Sequence, residues 1–335
     1  CDNTPIRHSL MLKLSFQEKY DEEPISTLPD EVWMKIFSYL TSSQRVPLGT
    51  TCKRFRELDF ELGGTEYTRI AVKWLSRDEL GVLAYAKHAE YKMFSADPAK
   101  FSTYHMMRLF RKAMVDWLEI KNLRNPCNDE LENISTLLRT TTYKKLNLRF
   151  EDTHEGLDVY SFITSLLKDR KLENSQIRLS LKSSCAAFDI TRMRAVLKQL
   201  PKVDKFTMEW TARNESMRNV LPEECLIDDD VLLHVTSHTN HAELENSECS
   251  GQGIFSAFEA FCLSDIDSKY ISFYVPKPTV EGLFDLLPNS RLKETEGPSE
   301  DGSMIFKEIF DTESSSAVNV VENSSYYRVE FIKCD

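Results

Sequence analysis

The feature of this 335-residue chain that most limits its fold is a strand pattern that keeps returning. Residues 144–150 alternate Leu146, Leu148 and Phe150 with Asn147 and Arg149. Residues 176–181 alternate Ile177, Leu179 and Leu181 with Arg178 and Ser180, and 205–210 alternate Phe206, Met208 and Trp210 with Thr207 and Glu209. Residues 269–275 repeat the pattern with Ile271, Phe273 and Val275 against Ser272 and Tyr274, and 241–245 give a shorter version with Ala242 and Leu244 inward. Earlier, 67–74 place Ile70, Val72 and Trp74 on one face, with weaker candidates at 90–94 and 115–120. Successive side chains of a strand point to opposite faces, so each segment has one apolar and one polar face. A sheet buried on both sides would need nearly continuous apolar strands. The pattern therefore predicts a sheet covered by helices on one side and wet on the other.

Helical periodicity fills the gaps at 128–138, 157–168, 188–200, 228–235, 254–263 and 279–287. Several of these segments open with Asp, Asn or Thr, the residues that cap helix N-termini. The strand centres recur about every 30 residues, a spacing typical of repeat arrays. Residues 63–294 thus read as a curved βα array with its strands lining the inner face. Beyond it, 295–302 read as a loop, 304–310 and 326–333 as strands, and the Ser-rich stretch 311–325 as a long mobile connection. Residues 295–335 are expected to form a hairpin that caps the open edge.

Composition narrows the function. A formal charge of -11 disfavours nucleic-acid and anionic-membrane partners, both of which call for a basic face. No run approaches the ~18 apolar residues of a membrane span. Eight cysteines without C-x-x-C spacing suit reduced thiols and a cytoplasmic or nuclear setting. Residues 1–24 read as a flexible tail. Position 1 is Cys rather than Met, so a segment ahead of it is left open, and 9–16 are too short for a signal core.

The stretch 26–60, STLPDEVWMKIFSYLTSSQRVPLGTTCKRFRELDF, has a different rhythm. Pro29 suits a first helical turn, and Asp30 and Glu31 favour the positive end of that helix. Val32, Trp33, Ile36, Phe37 and Leu40 then form one wide apolar stripe. A second segment follows the hydroxyls of Thr41, Ser42 and Ser43 and carries Val46, Leu48, Cys52 and Phe55. Pro47 and Gly49 interrupt it, so it is expected to start late or bend. Helices this short cannot bury a core alone, so their apolar surface needs a partner.

The run of Leu-Pro, an acidic residue, Ile-Phe-Ser-Tyr-Leu and then Cys-Lys-Arg-Phe resembles an F-box. The resemblance covers 25–62 and implies docking on a Skp-type adaptor and, through it, a cullin. On that footing the adaptor-binding residues are Leu28, Pro29, Val32, Ile36, Phe37, Leu40, Leu48, Cys52 and Phe55. Trp33 reads either as a binding anchor or as the contact that holds these helices to the rest of the chain. The βα region is similar to a leucine-rich-repeat horseshoe, although the L-x-x-L-x-L-x-x-N/C signature is missing. The fold expected is α/β: a short N-terminal helical F-box module followed by a leucine-rich-repeat-like βα solenoid.

Candidates for chemistry are weak. His234, His238 and His241 are spaced i, i+4, i+7 behind Asp228, Asp229 and Asp230, as zinc ligands on one helix face would be. The acids fit a helix N-terminus better, Leu232, Leu233 and Val235 read as the buried side, and 237–240 read as a turn that takes His241 off the helix. The sequence Cys249-Ser-Gly-Gln-Gly253 lacks the Lys of a phosphate loop and reads as a tight βα turn. No G-x-S-x-G and no H-E-x-x-H occurs. Catalytic residues, metal ligands and cofactors are therefore all expected to be none.

Two functions from different classes compete. The first is a non-catalytic substrate receptor of a Skp–cullin–F-box ubiquitin ligase. Its unknown protein substrate would lie on the polar strand face: Asn147, Arg149, Arg178, Ser180, Thr207, Glu209, Glu243, Glu245, Ser272 and Tyr274. That face is expected to run from basic to acidic. The second is a hydrolase or transferase on a parallel sheet, with the F-box likeness accidental. A scaffold outside any ligase is a third reading.

Overall fold

The computed structural model describes residues 28–40, 42–62, 66–76, 79–86, 89–95, 109–122, 126–151, 158–168, 170, 172–183, 189–212, 226–245, 247–264, 266, 268–276, 279–280, 283, 292–298, 304–311, 314–322 and 326–333. The tail at 1–24, Thr41 and most of the helix expected at 279–287 lie outside the described residues. The chain divides into two compact units, Cys1–Leu62 and Gly63–Asp335.

Among its described residues the first unit contains three helices: α1 (Asp30–Ser38), α2 (Ser42–Thr51) and α3 (Lys53–Glu61). Pro29 stands one residue before α1, and its carbonyl accepts from the N–H groups of Val32 and Trp33 at 3.1 and 3.2 Å. The late start expected for the second segment is corrected. The helix begins at Ser42, runs through Pro47 and ends at Thr51. The hydroxyls of Thr50 and Thr51 donate to the carbonyls of Pro47 and Leu48, both at 2.6 Å, and satisfy acceptors at the helix end. Cys52 is extended (φ -155, ψ 162), and its sulfur caps α3 by accepting from the N–H of Phe55 at 3.4 Å. The single segment read from the sequence is therefore two helices hinged at Cys52.

The second unit is built on a 13-stranded mixed sheet in the order β10-β11-β12-β13-β9-β8-β7-β6-β5-β4-β1-β2-β3. Its centre is parallel: β1 (Glu66–Ser76), β4 (Met114–Asn122), β5 (Thr142–Glu151), β6 (Leu172–Ser183), β7 (Val203–Ala212), β8 (Thr239–Leu244) and β9 (Tyr270–Pro276). From β4 to β9 each strand pairs with the next one in sequence, without reversal. The helices α4 (Asn128–Leu138), α5 (Val159–Leu167), α6 (Ile190–Leu197), α7 (Asp229–His238) and α8 (Gly251–Cys262) lie between successive strands in the chain. Their apolar faces and the strand residues Leu146, Leu148, Phe150, Ile177, Leu179, Phe206 and Met208 belong to one buried cluster.

A polar ladder links the starts of neighbouring helices. Each of the helices α4 to α8 has a side-chain hydrogen bond at its N-terminus. Asp158 accepts from Ser161 N–H, Asp189 from Arg192 N–H, Asp228 from Val231 N–H and Ser250 from Gly253 N–H, all at 2.8–3.1 Å. On α4 the Glu130 carboxylate accepts from the N–H of the capping residue Cys127 at 2.7 Å. Three caps are also held by the preceding helix. Asn128 accepts from Asp158 N–H (2.8 Å), Tyr160 from Asp189 N–H (2.6 Å) and Asp229 from Ser250 N–H (2.7 Å). Each such bond satisfies a donor that a helix start leaves open and fixes the spacing of neighbouring helices.

The two ends of the parallel block are antiparallel. β2 (Glu79–Ala86) and β3 (Ala89–Ser95) follow β1 at one end. At the other, β13 (Tyr326–Lys333), β12 (Ser316–Glu322), β11 (Met304–Asp311) and β10 (Leu292–Pro298) extend β9. The expected capping hairpin is thus a four-stranded meander. The loop read at 295–302 is strand through Pro298, and the connection read at 311–325 contains β12, whose Ala317, Val318 and Val320 are buried. The meander is fastened by Phe331, whose ring centroid lies 5.3–5.7 Å from those of Phe258, Phe261 and Phe273.

Candidate functional site

Two surfaces carry the features that the sequence singles out, one on each unit. On the first, α1 splits its apolar stripe in two. Phe37 is fully buried, with Phe55 and Leu58, and Trp33, Met34, Leu48, Cys52 and Leu62 pack against them. The Trp33 ring lies 4.5 Å from Phe55 and 6.4 Å from Phe37. Trp33 is therefore part of this unit's own core. The expectation that Phe37 and Phe55 offer an open surface is corrected, because their rings fill the space between α1 and α3.

What α1 leaves outside is the neighbouring stripe. Leu28 and Val32 are each 41% exposed, Ile36 38% and Tyr39 74%. Pro29 is exposed and Leu40 half-buried beside them. Arg54 on α3 fixes the start of this stripe by donating to the Asp30 carboxylate and to the Leu28 carbonyl, both at 2.6 Å. Nearby, Arg45 and the buried Asp59 approach within 3.4 Å. Unsupported short helices would fray, and these charged contacts hold the apolar row in one orientation.

On the second unit the polar sheet face is ordered in rows by strand register. One row runs Asn147, Arg178, Thr207, Glu243, Ser272 and then Glu330 of β13. The next contains Arg149, Ser180 and Glu209, and Tyr274 pairs with Arg328 farther along the sheet. A third, nearer the strand starts, runs Arg69, Trp117, Lys145, Gln176, Lys205, His241 and Tyr270. A shallow cleft of about 280 Å³ lies among Trp117, Lys145, Asn147, Gln176, Arg178 and Lys205, with Thr207, Glu209 and Glu243 along its far side.

Alternation alone reaches most of these positions. Trp117 is different, because burial steps by three residues near the start of several strands. The buried pairs are Tyr67 and Ile70, Val115 and Leu118, Tyr143 and Leu146, Val203 and Phe206, and Thr239 and Ala242. Strict alternation from Val115 would bury Trp117, whereas the step leaves it 40% exposed on the polar face. Lys145, Gln176 and Lys205 share parity with Asn147, Arg178 and Thr207, so the signal for them was present in the sequence.

The expected basic-to-acidic gradient is zipped shut in its middle. Arg178 pairs with Glu209. Lys205 donates to Glu243 at 2.7 Å, and His241 Nε2 lies 2.9 Å from the same oxygen. Hydrogen bonds from Lys205 and then from His241 hold the Glu243 carboxyl below its ordinary range. Farther along, Arg328 donates to Ser272 (3.1 Å) and to the Tyr270 hydroxyl (2.7 Å), which donates to Glu330 (2.7 Å). Ser272 is covered by this contact and is buried.

The histidines do not converge. His234 and His238 stack on α7 with centroids 4.0 Å apart, while His241 stands on β8, which begins immediately after the helix with no intervening turn. Leu233 is exposed, and Val231, Leu232, Val235 and Thr236 form the buried side. Among the described residues no group of His, Cys, Asp and Glu could hold a metal ion. The tight turn expected at Cys249–Gly253 is corrected: Gly251 and Gly253 lie inside α8, whose cap Ser250 donates from Oγ to Asp229 at 2.6 Å, and Gly253 packs against that carboxylate.

Comparison with known families supplies one match. Residues 25–61 fit the family model described as F-box-like, which assigns the first unit to protein–protein interaction. No curated protein matches the chain. Among the described residues no helix is long and apolar enough to cross a membrane.

Proposed function

We propose that the chain is a non-catalytic substrate receptor of a Skp–cullin–F-box ubiquitin ligase, acting in the cytoplasm or nucleus. F-box domains as a family bind Skp-type adaptors. The observation that carries this reading is the row Leu28, Val32, Ile36 and Tyr39: apolar, exposed, and held in place on a unit that fits the F-box-like model. Such a row in water calls for a partner.

The second unit is read as the substrate-binding part, a leucine-rich-repeat-like βα horseshoe. The one-way strand order from β4 to β9 and the helix-cap ladder support that reading. The hydrolase or transferase alternative fits less well. Ligand crevices of doubly wound sheets form where strand order reverses, and this parallel block has no such point. The Lys205, His241 and Glu243 groups are also committed to one another.

The test is co-expression of the full chain with a Skp-type adaptor, followed by size-exclusion chromatography. A stoichiometric complex is expected. Elution of the folded chain without adaptor would leave the scaffold reading in its place.

A further inference from the structure

The register of the polar face brings a lysine, a histidine and a glutamate into one triangle. Lys205 of β7, His241 of β8 and Tyr270 of β9 share a row, and Glu243 follows His241 on the same face of β8. Lys205 Nζ lies 2.7 Å from Glu243 Oε1 and 3.1 Å from His241 Nε2, and that nitrogen lies 2.9 Å from the same oxygen. The Tyr270 ring backs the imidazole on its other side, with centroids 4.9 Å apart. The Tyr270 hydroxyl is already engaged, donating to Glu330 and accepting from Arg328. Among the described residues no other titratable group touches His241.

The two polar contacts of His241 Nε2 make opposite demands. An ammonium only donates, so toward Lys205 the nitrogen has to accept and must be without a proton. A carboxylate only accepts, so toward Glu243 the nitrogen has to donate and must carry one. One ring nitrogen does one or the other at a time. Without a proton on Nε2, Lys205 donates to both His241 and Glu243, and the triad has no net charge. With both ring nitrogens protonated, His241 donates to Glu243, an imidazolium stands beside an ammonium, and the triad carries one positive charge. Two cations at the observed 3.1 Å repel each other. Glu243 stays ionised through this exchange, because the bonds from Lys205 and then His241 hold its carboxyl below the ordinary range.

The side chain free to move is the lysine. His241 is short and backed by a ring, whereas Lys205 has a long flexible stem. Its register neighbour on the far side is Gln176, a neutral residue that lines the cleft together with Lys205, Trp117 and Lys145. Solvent protons reach the triad, since the side chains of Lys205, His241 and Glu243 are 34%, 35% and 47% exposed.

We infer that Lys205, His241 and Glu243 form a proton-operated switch in the wall of this cleft. Proton uptake at His241 Nε2 hands the Glu243 carboxylate to His241 and releases Lys205 toward Gln176 and the cleft. The proton comes from water and returns to it, and only an N–H bond forms or breaks. Imidazole is the side chain that ordinarily changes charge between about pH 5 and 8. Arg178, also in the cleft, stays paired with Glu209, so the switch supplies the change in charge. The result is a cleft that favours anionic groups more as the pH falls. The inference rests on the geometry of the triangle and stands whether or not the first unit binds an adaptor.

The experiment is nuclear magnetic resonance of the full chain, isotope-labelled in His and Lys, between about pH 5 and 8. The two signals are assigned by their loss in His241→Gln and Lys205→Arg. At the alkaline end His241 is expected to carry its proton on Nδ1, which leaves Nε2 to accept. As the pH falls both ring nitrogens should become protonated, and the Lys205 Cε signal should shift along the same curve. In His241→Gln that shift should be lost, and in Glu243→Gln the Lys205 signal should stay near its acid position throughout. Circular dichroism identifies any variant that has lost its fold, and His241→Phe replaces His241→Gln if the latter has. A proton on Nε2 at the alkaline end, a Lys205 signal that does not follow His241, or a Lys205 shift that survives in His241→Gln overturns the inference.

Discussion

Phe37 of α1 and Phe55 of α3 face each other with ring centroids 5.4 Å apart, and both are buried. Ile36, one residue before Phe37, is turned outward. Adjacent residues of one helix thus serve opposite purposes, one closing the three-helix unit and the other leaving it able to dock. Truncating Phe37 to Ala should destabilise this unit by about 3–5 kcal/mol, the usual cost of emptying a buried aromatic site. Hydrogen exchange across α1 to α3 should then approach that of an unfolded segment while the sheet stays protected. Ile36→Ala should leave that exchange pattern unchanged.

Pro47 lies in the interior of α2 and is exposed. It removes one helical hydrogen bond without adding buried contact. Pro47→Ala should stabilise the unit by about 2 kcal/mol, the helix-propensity gain less the added freedom of the unfolded chain. Thermal unfolding followed through Trp33 fluorescence checks this, and a lower midpoint would show that the proline's conformation is required.

Gly253 lies in the first turn of α8, and a Cβ there would come within 2.0 Å of the Asp229 carboxylate. That carboxylate accepts from both the N–H and the hydroxyl of Ser250. Gly253→Ala should push Asp229 away, break both bonds and cost roughly 1–3 kcal/mol for the donors left open. Denaturant melts of the full chain should show the loss, and Asp229→Ala combined with Gly253→Ala should cost little more than either change alone.

Burial, aided by the neighbouring His238, pushes the His234 imidazole below its ordinary value of 6.5, although its bond to the Leu200 carbonyl works the other way. The unfolded chain therefore takes up this proton first as pH falls. The contribution of His234 to stability is complete above pH 6.5 and is lost as pH drops from there through the lower folded-state value. Urea titrations at a series of pH values should show this slope in the parent and a shallower one in His234→Gln, which keeps an N–H for Leu200.

Much of the sheet could be read from the chain because burial on one face forces strict alternation. That is why Leu146, Leu148, Ile177, Leu179, Phe206 and Met208 all face the helices. The caps at Asp158, Asp189 and Asp228 were equally legible as acidic helix starts. Three things were not. The three-residue burial step near the strand starts breaks the period, so counting from Val115 and counting from Leu118 put Trp117 on opposite faces. β12 was hidden because Val318 and Val320 sit in a Ser-rich, polar stretch that resembles a connection. On α1 periodicity gave a wide stripe, but Val32 and Ile36 differ from Trp33 and Phe37 only in which edge meets Phe55, and that depends on packing with a helix some twenty residues away.

The proposed function rests on the outward edge of α1, and one titration addresses it directly. A Skp-type adaptor is titrated calorimetrically into the full chain and into the double variant Val32→Asp with Ile36→Asp. Both positions are exposed, so the three-helix unit should keep its fold, as hydrogen exchange can verify. Burial of two such side chains contributes about 1.5–3 kcal/mol each, so loss of measurable binding in the variant is the predicted result. Binding of equal strength by parent and variant, or none by the folded parent, would contradict the account.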